Sequence, residues 1–126
     1  MIRAFVIRTF ILCLMAFAAG AAPAAASDRF VSVIEDLPLM DGLVENENAA
    51  VAFDTAGGRI AEAEARGNVG PLEAARFYAD VLPQLGWARL DEGLYQRERE
   101  RLKIAIEADG AGGAVVGFSV SPFSGK

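Results

Sequence analysis

Histidine is missing from the sequence, and the single cysteine, Cys13, lies close to its start. Without histidine the chain lacks the commonest general base near neutral pH and the commonest transition-metal ligand. One cysteine cannot form an intramolecular disulfide, so burial of apolar surface has to stabilise the fold unaided. Basic residues are also scarce: 12 Lys and Arg stand against 17 Asp and Glu, a net charge of −5. Such a balance argues against nucleic acid as a partner and does not favour contact with an anionic membrane surface.

What is present begins with a targeting pattern. Arg3 and Arg8 precede an apolar run from Thr9 to Ala19, followed by Gly20, Pro23 and a row of alanines. This is the layout of a secretory signal peptide, and Ala24 and Ala26 supply the small residues of a cleavage site, so the cut is expected after Ala26. The run is roughly half the ~20 residues that cross a bilayer, which argues against an uncleaved anchor. Cys13 lies inside the run, without the surroundings of a lipoprotein acceptor. The sequence thus divides into a signal peptide, 1–26, and one domain, 27–126, with periplasmic or secreted localisation. The domain is near the lower comfortable size for an independent core. Loss of Arg3 and Arg8 leaves 10 basic residues against 17 acids, a charge of −7.

Residues 27–48 mix apolar residues with acids and breaks at Pro38 and Gly42, which reads as a short element from Phe30 to Ile34 and an extended connection. Ala49 to Thr55 reads as a strand, Gly57 and Gly58 as a turn, and Arg59 to Arg66 as a second strand. Helix-forming Ala, Glu and Arg fill that second strand. Its strict alternation nevertheless places Ala61, Ala63 and Ala65 on one face, against which a bulky helix could lie.

Pro71 to Leu85 is that helix. Pro71 suits the first helical position and Glu73 the positive end of the helix dipole. At 100° per residue the polar arc, with Glu73, Arg76, Asp80, Pro83 and Gln84, takes about a third of the circumference, which predicts a broad buried face. Four strands follow: Trp87 to Leu90, Leu94 to Arg97, Leu102 to Ala108 and Ala114 to Val120, the last two alternating strictly. The fold class is α+β: an antiparallel sheet in β-β-α-β-β-β-β order with one amphipathic helix packed across one face.

Candidate chemistry is thin. Glu35, Asp36, Asp41, Glu45 and Glu47 lack the spacing of a calcium loop and read as a solvated acidic connection. Ser27, Ser32, Ser119, Ser121 and Ser124 have no G-x-S-x-G or S-x-x-K context. A histidine-free hydrolase would need a carboxylate pair drawn from acids such as Glu62, Glu64, Glu98 and Glu107, which read as residues of a solvated sheet face. No catalytic, metal or cofactor site is therefore assigned, and no cofactor is expected. The densest charge is QRERERLK, where Arg97, Arg99, Arg101 and Lys103 cluster around an expected hairpin tip. They are candidates for contact with an anion or an acidic partner, against the alternative of pairing with Glu98 and Glu100. Tyr78, central on the apolar arc, is a candidate to line a pocket between helix and sheet.

The stretch FYADVLPQLGW, Phe77 to Trp87, ends the helix. Gly86 is expected in the left-handed position beyond it, with Leu82 and Trp87 in the apolar contact of a Schellman cap and Pro83 on the solvent side. With DLPLMDGLVE and AFDTAGGRIAEA, this F-Y-x-x-x-L-P-x-L-G-W motif resembles a group of small, exported, functionally uncharacterised proteins of Gram-negative bacteria. The resemblance covers about the central half of the chain and transfers no functional residues. Helix-grip domains of outer-membrane assembly lipoproteins look similar in element order, an analogy of fold alone. The leading expectation is a non-enzymatic periplasmic interaction module whose partner is another envelope protein. The alternative is a binder of a lipid or apolar small molecule between helix and sheet. The sequence assigns no oligomeric state.

Overall fold

A computed structural model describes residues 29–123. The expected signal peptide, its cleavage point near Ala26, Cys13, Ser27 and Ser124 lie outside the described residues. The strands are β1 (Phe30–Val31), β2 (Ile34–Pro38), β3 (Leu43–Glu45), β4 (Val51–Thr55), β5 (Gly58–Gly67), β6 (Ala88–Asp91), β7 (Leu94–Arg97), β8 (Glu100–Ala108) and β9 (Ala114–Pro122). A single turn of 3-10 helix spans Glu47–Ala49, and the helix α1 covers Pro71–Gln84.

β1 and β2 form a small hairpin, and the other strands form one antiparallel sheet in the order β3-β5-β9-β8-β7-β6, with β4 also paired to β5. The α+β class and the helix packed on a largely antiparallel sheet follow from this arrangement. β5 is long enough to hold two neighbours along one edge. Val51 to Thr55 pair with its first half and Leu43 to Glu45 with its second.

That double pairing explains why a segment rich in helix formers is a strand. β5 is hydrogen-bonded to β9 on one side and to β3 and β4 on the other, so ladder bonds and burial outweigh the helical preference of its alanines. Ala61, Ala63 and Ala65 are buried, as are Leu102 and Ile104 of β8 and Ala114, Val116, Phe118 and Val120 of β9. These alternating residues make one face of the sheet the core.

The N-terminal segment differs from its expected form. Residues between Phe30 and Glu45 are not an extended connection: they hold β1, β2 and β3, and the expected first element is folded back on itself, with Val31 opposite Ile34. The reason is burial, since Val31, Ile34, Leu37, Leu39, Met40 and Leu43 all enter the core. The hairpin is held at both ends. The Ser32 N–H donates to a Glu45 carboxylate oxygen at 2.7 Å, and Arg97 of β7 forms an ion pair with Asp36 of β2.

The hairpin also corrects the expected position of the helix. α1 packs chiefly on β8, β6 and β9, whereas Glu45, the hairpin's anchor, lies opposite Ala65 on β5. Hairpin and helix therefore share the apolar face, with the hairpin toward the alanines of β5. Between them stands Tyr78, whose hydroxyl donates to the Pro38 carbonyl at 2.9 Å and accepts from the Met40 N–H at 3.3 Å.

Candidate functional site

α1 enters through Gly70, whose N–H donates to the Glu73 carboxylate at 3.4 Å, while Pro71 occupies the first turn. Its buried stripe is narrower than the apolar arc predicts. Ala74, Tyr78 and Leu82 are buried, a spacing of one residue per turn, and Phe77, Val81 and Leu85 are half-buried. Ala75 is exposed, and Leu72 is 72 % exposed.

Those apolar residues are not stranded on an open surface. They form one wall of a groove of about 380 Å³ between the helix and the β6-β7-β8 end of the sheet. Leu72, Ala75 and Ala79 line the helical wall, with Tyr95, Ile104 and Ile106 on the sheet. Gly93, in the turn between β6 and β7, also lines it. This position demands glycine, because its φ is +68° and a Cβ would meet the Ile104 carbonyl oxygen at 2.5 Å. The 2.8 Å bond from the Ile104 N–H to the Gly93 carbonyl holds that close approach.

Three charged residues complete the lining: Arg76 from the helix, Arg89 from β6 and Glu92 from the turn. Neither arginine has an ion-pair partner among the described residues, whose three bridges join Arg59 to Glu100, Arg66 to Glu64 and Arg97 to Asp36. Arg89 makes one long bond, 3.4 Å, to the carbonyl of Asp91 on its own strand. The groove thus combines apolar walls with two guanidinium groups free to accept an anion.

Tyr78 also lines this groove, but through its ring. Its hydroxyl is committed to the hairpin, and burial pushes its pKa from 10.0 to about 12 despite the Met40 N–H. The ring packs edge-on against Phe77 at 4.9 Å and Phe118 at 5.3 Å, so Tyr78 supports the wall and has no hydroxyl to offer a ligand.

The four cations Arg97, Arg99, Arg101 and Lys103 do not converge. The register pairs Arg97 with Glu100 and Tyr95 with the buried Leu102 on the core side, whereas Arg101 and Lys103 fall on the opposite face. Arg97 is occupied: it donates to Asp36 and, at 3.0 Å, to the Leu85 carbonyl, and lies 4.3 Å from the Trp87 ring centroid. Asp36 is held below the usual carboxylate range by that hydrogen bond from Arg97. Arg101 stacks 3.8 Å above the Phe123 ring, and its buried Nε has no partner. Arg99 is exposed beside Glu98, which takes a left-handed φ of 54° in the turn between β7 and β8 and so lies off the sheet face expected for it.

The acids of the N-terminal segment are dispersed between Arg97, Ser32 and solvent, and no group of metal-ligating side chains occurs among the described residues. Glu62, Glu64 and Glu107 lie on the open face, where Glu64 pairs with Arg66.

At the end of the helix, Gly86 has a φ of +90°. The Trp87 N–H donates to the Leu82 carbonyl and the Gly86 N–H to that of Pro83, both at 3.1 Å. These are the two bonds of a Schellman motif, with Leu82 and Trp87 buried beside it and Pro83 exposed. No family model matches the chain, and neither a curated protein nor a solved structure matches it.

Proposed function

We propose that this protein is a non-enzymatic interaction module of the periplasm that binds an extended segment of another envelope protein along β4. The carrying observation is the contrast between the two sheet edges. β6 is blunted by a register irregularity and by Arg89 and Asp91, the usual protections of an edge strand. β4 pairs in unbroken register with β5 and presents Val51, 46 % exposed, and Phe53, 52 % exposed, along an edge that no other strand among the described residues covers. An unprotected edge of this kind offers main-chain donors and acceptors to an incoming strand, with alternate side chains giving specificity. The signal-peptide pattern and the resemblance of FYADVLPQLGW to small exported proteins support the periplasmic setting, and the lack of histidine supports a role other than catalysis.

A photocrosslinking residue at position 53 in the living cell tests this reading. A discrete adduct with an envelope protein is expected, abolished by Val51→Lys on a folded domain. An adduct only with a second copy of the chain, or none, overturns the heterologous partner.

A second reading is favoured by the groove: a binder of a lipid or apolar small molecule between helix and sheet. Its volume of about 380 Å³ lies within the roughly 300–1,000 Å³ usual for ligand pockets.

A further inference from the structure

We infer that the occupant of the groove is a single-chain fatty acid whose carboxylate is held by Arg76 and Arg89. The inference rests on the second reading above and adds the chemical class of the ligand.

The charge of the lining selects the head group. In a chain where acids outnumber bases, two arginines without carboxylate partners among the described residues line one apolar groove. Arginine presents a planar fork of donors that matches a carboxylate in two parallel hydrogen bonds. Glu92 is the single acid in the lining, so the three charged residues sum to +1. That complements a monoanion. A phosphate monoester, carrying about −1.5 to −2 at neutral pH, would be left under-neutralised beside Glu92.

The walls select the tail. Leu72, Ala75, Ala79, Ile104 and Ile106 offer methyl and methylene surface without a hydrogen-bonding side chain, which suits hydrocarbon and not a peptide. The volume, about 380 Å³, is near the bottom of the usual range and fits one acyl chain better than two. The exposure of Leu72 has a direct account here, because an acyl chain would cover it.

The experiment uses protein purified from cells expressing the full chain, with palmitate, methyl palmitate and hexadecyl phosphate titrated by calorimetry below their aggregation concentrations. Palmitate is expected to bind at least about tenfold more tightly than methyl palmitate, the effect of a charge-assisted hydrogen bond. Arg76→Gln and Arg89→Gln should each weaken palmitate by about tenfold and leave the ester unchanged. Leu72→Glu, at an exposed position that folding does not need, should weaken both, with an unchanged near-ultraviolet signal from Trp87 reporting the fold. Equal affinity for acid and ester overturns the head-group assignment and leaves the groove reading standing. Tighter binding of hexadecyl phosphate overturns the monoanion. Absence of binding by all three overturns the inference together with the reading beneath it, and palmitate binding insensitive to Leu72→Glu removes the ligand from this groove.

Discussion

At its C-terminal end the apolar side of α1 is closed, while Pro83 and Gln84 face solvent. Leu82 and Trp87 are buried, Gly86 turns the chain, and Arg97 bonds the Leu85 carbonyl while lying over Trp87 and reaching Asp36 of the hairpin. At its N-terminal end the same helix carries equally apolar residues, yet Leu72 and Ala75 face a groove with solvent access. The difference lies in what stands opposite. The β1-β2 hairpin, linked to β7 by Asp36, reaches the C-terminal end, and among the described residues no element fills the corresponding space over β6 and β7. Apolarity alone therefore does not make a residue part of the core; a second layer has to reach it.

Removing the closure should have the largest effect. Trp87→Ala is expected to destabilise the domain by about 3 to 5 kcal/mol, as for other buried aromatics, measured by urea unfolding with an unchanged slope. Gly86→Val at the same joint should also be severely disruptive, since it forces a branched side chain into φ +90° with its Cβ 3.4 Å from Arg97.

One substitution at two places on the helix sharpens the contrast. Leu82→Ala should cost about 2 to 5 kcal/mol, whereas Leu72→Ala should stay within about 0.5 kcal/mol of the parent. Similar losses at both positions would mean that the groove is packed shut in solution.

Tyr78 lies at the border between the two regions and has an intermediate expected effect. Tyr78→Phe leaves the Met40 N–H and one Pro38 carbonyl bond unsatisfied, a cost of roughly 1 to 3 kcal/mol. The same hydroxyl gives an alkaline signature. Its folded pKa of about 12 exceeds the ordinary 10.0, so the folded state keeps a proton that the unfolded state loses. The contribution is complete below pH 10 and disappears as pH rises from 10 toward 12. Alkaline unfolding monitored by circular dichroism should show this loss in the parent and a flatter limb in Tyr78→Phe.

The long strands and the helix stop are legible because their signals are local. Leu102 and Ile104 in β8, and Val116, Phe118 and Val120 in β9, alternate as strand periodicity requires, and a glycine before an aromatic residue marks the cap. β1, β2 and β3 escape such reasoning. Ser32 and Val33 form a two-residue turn without the Asn-Gly or glycine signals of common hairpins, and β3 is three residues long, recognisable only from its partner on β5. Of the candidate groove, a place between helix and sheet lined by Tyr78 is legible, whereas its charged residues are not, for a related reason. Arg76 reads as one residue of the helix's polar arc and Arg89 as one residue of the strand from Trp87 to Leu90; only the crossing of α1 over the sheet puts them in a common lining.

The sequence by itself determined the periodicities, the absence of histidine chemistry and the helix joint at Leu82, Gly86 and Trp87, because each depends on residue type at short spacing. Tertiary structure alone decided which apolar residues became core and which became a groove wall, that β5 would hold both β3 and β4 along one edge, and that Arg97 would lock the joint and not join a basic patch. Those outcomes depend on which distant segment arrives opposite each face, and pairing and burial across the fold are stronger than the local preferences of the residues involved.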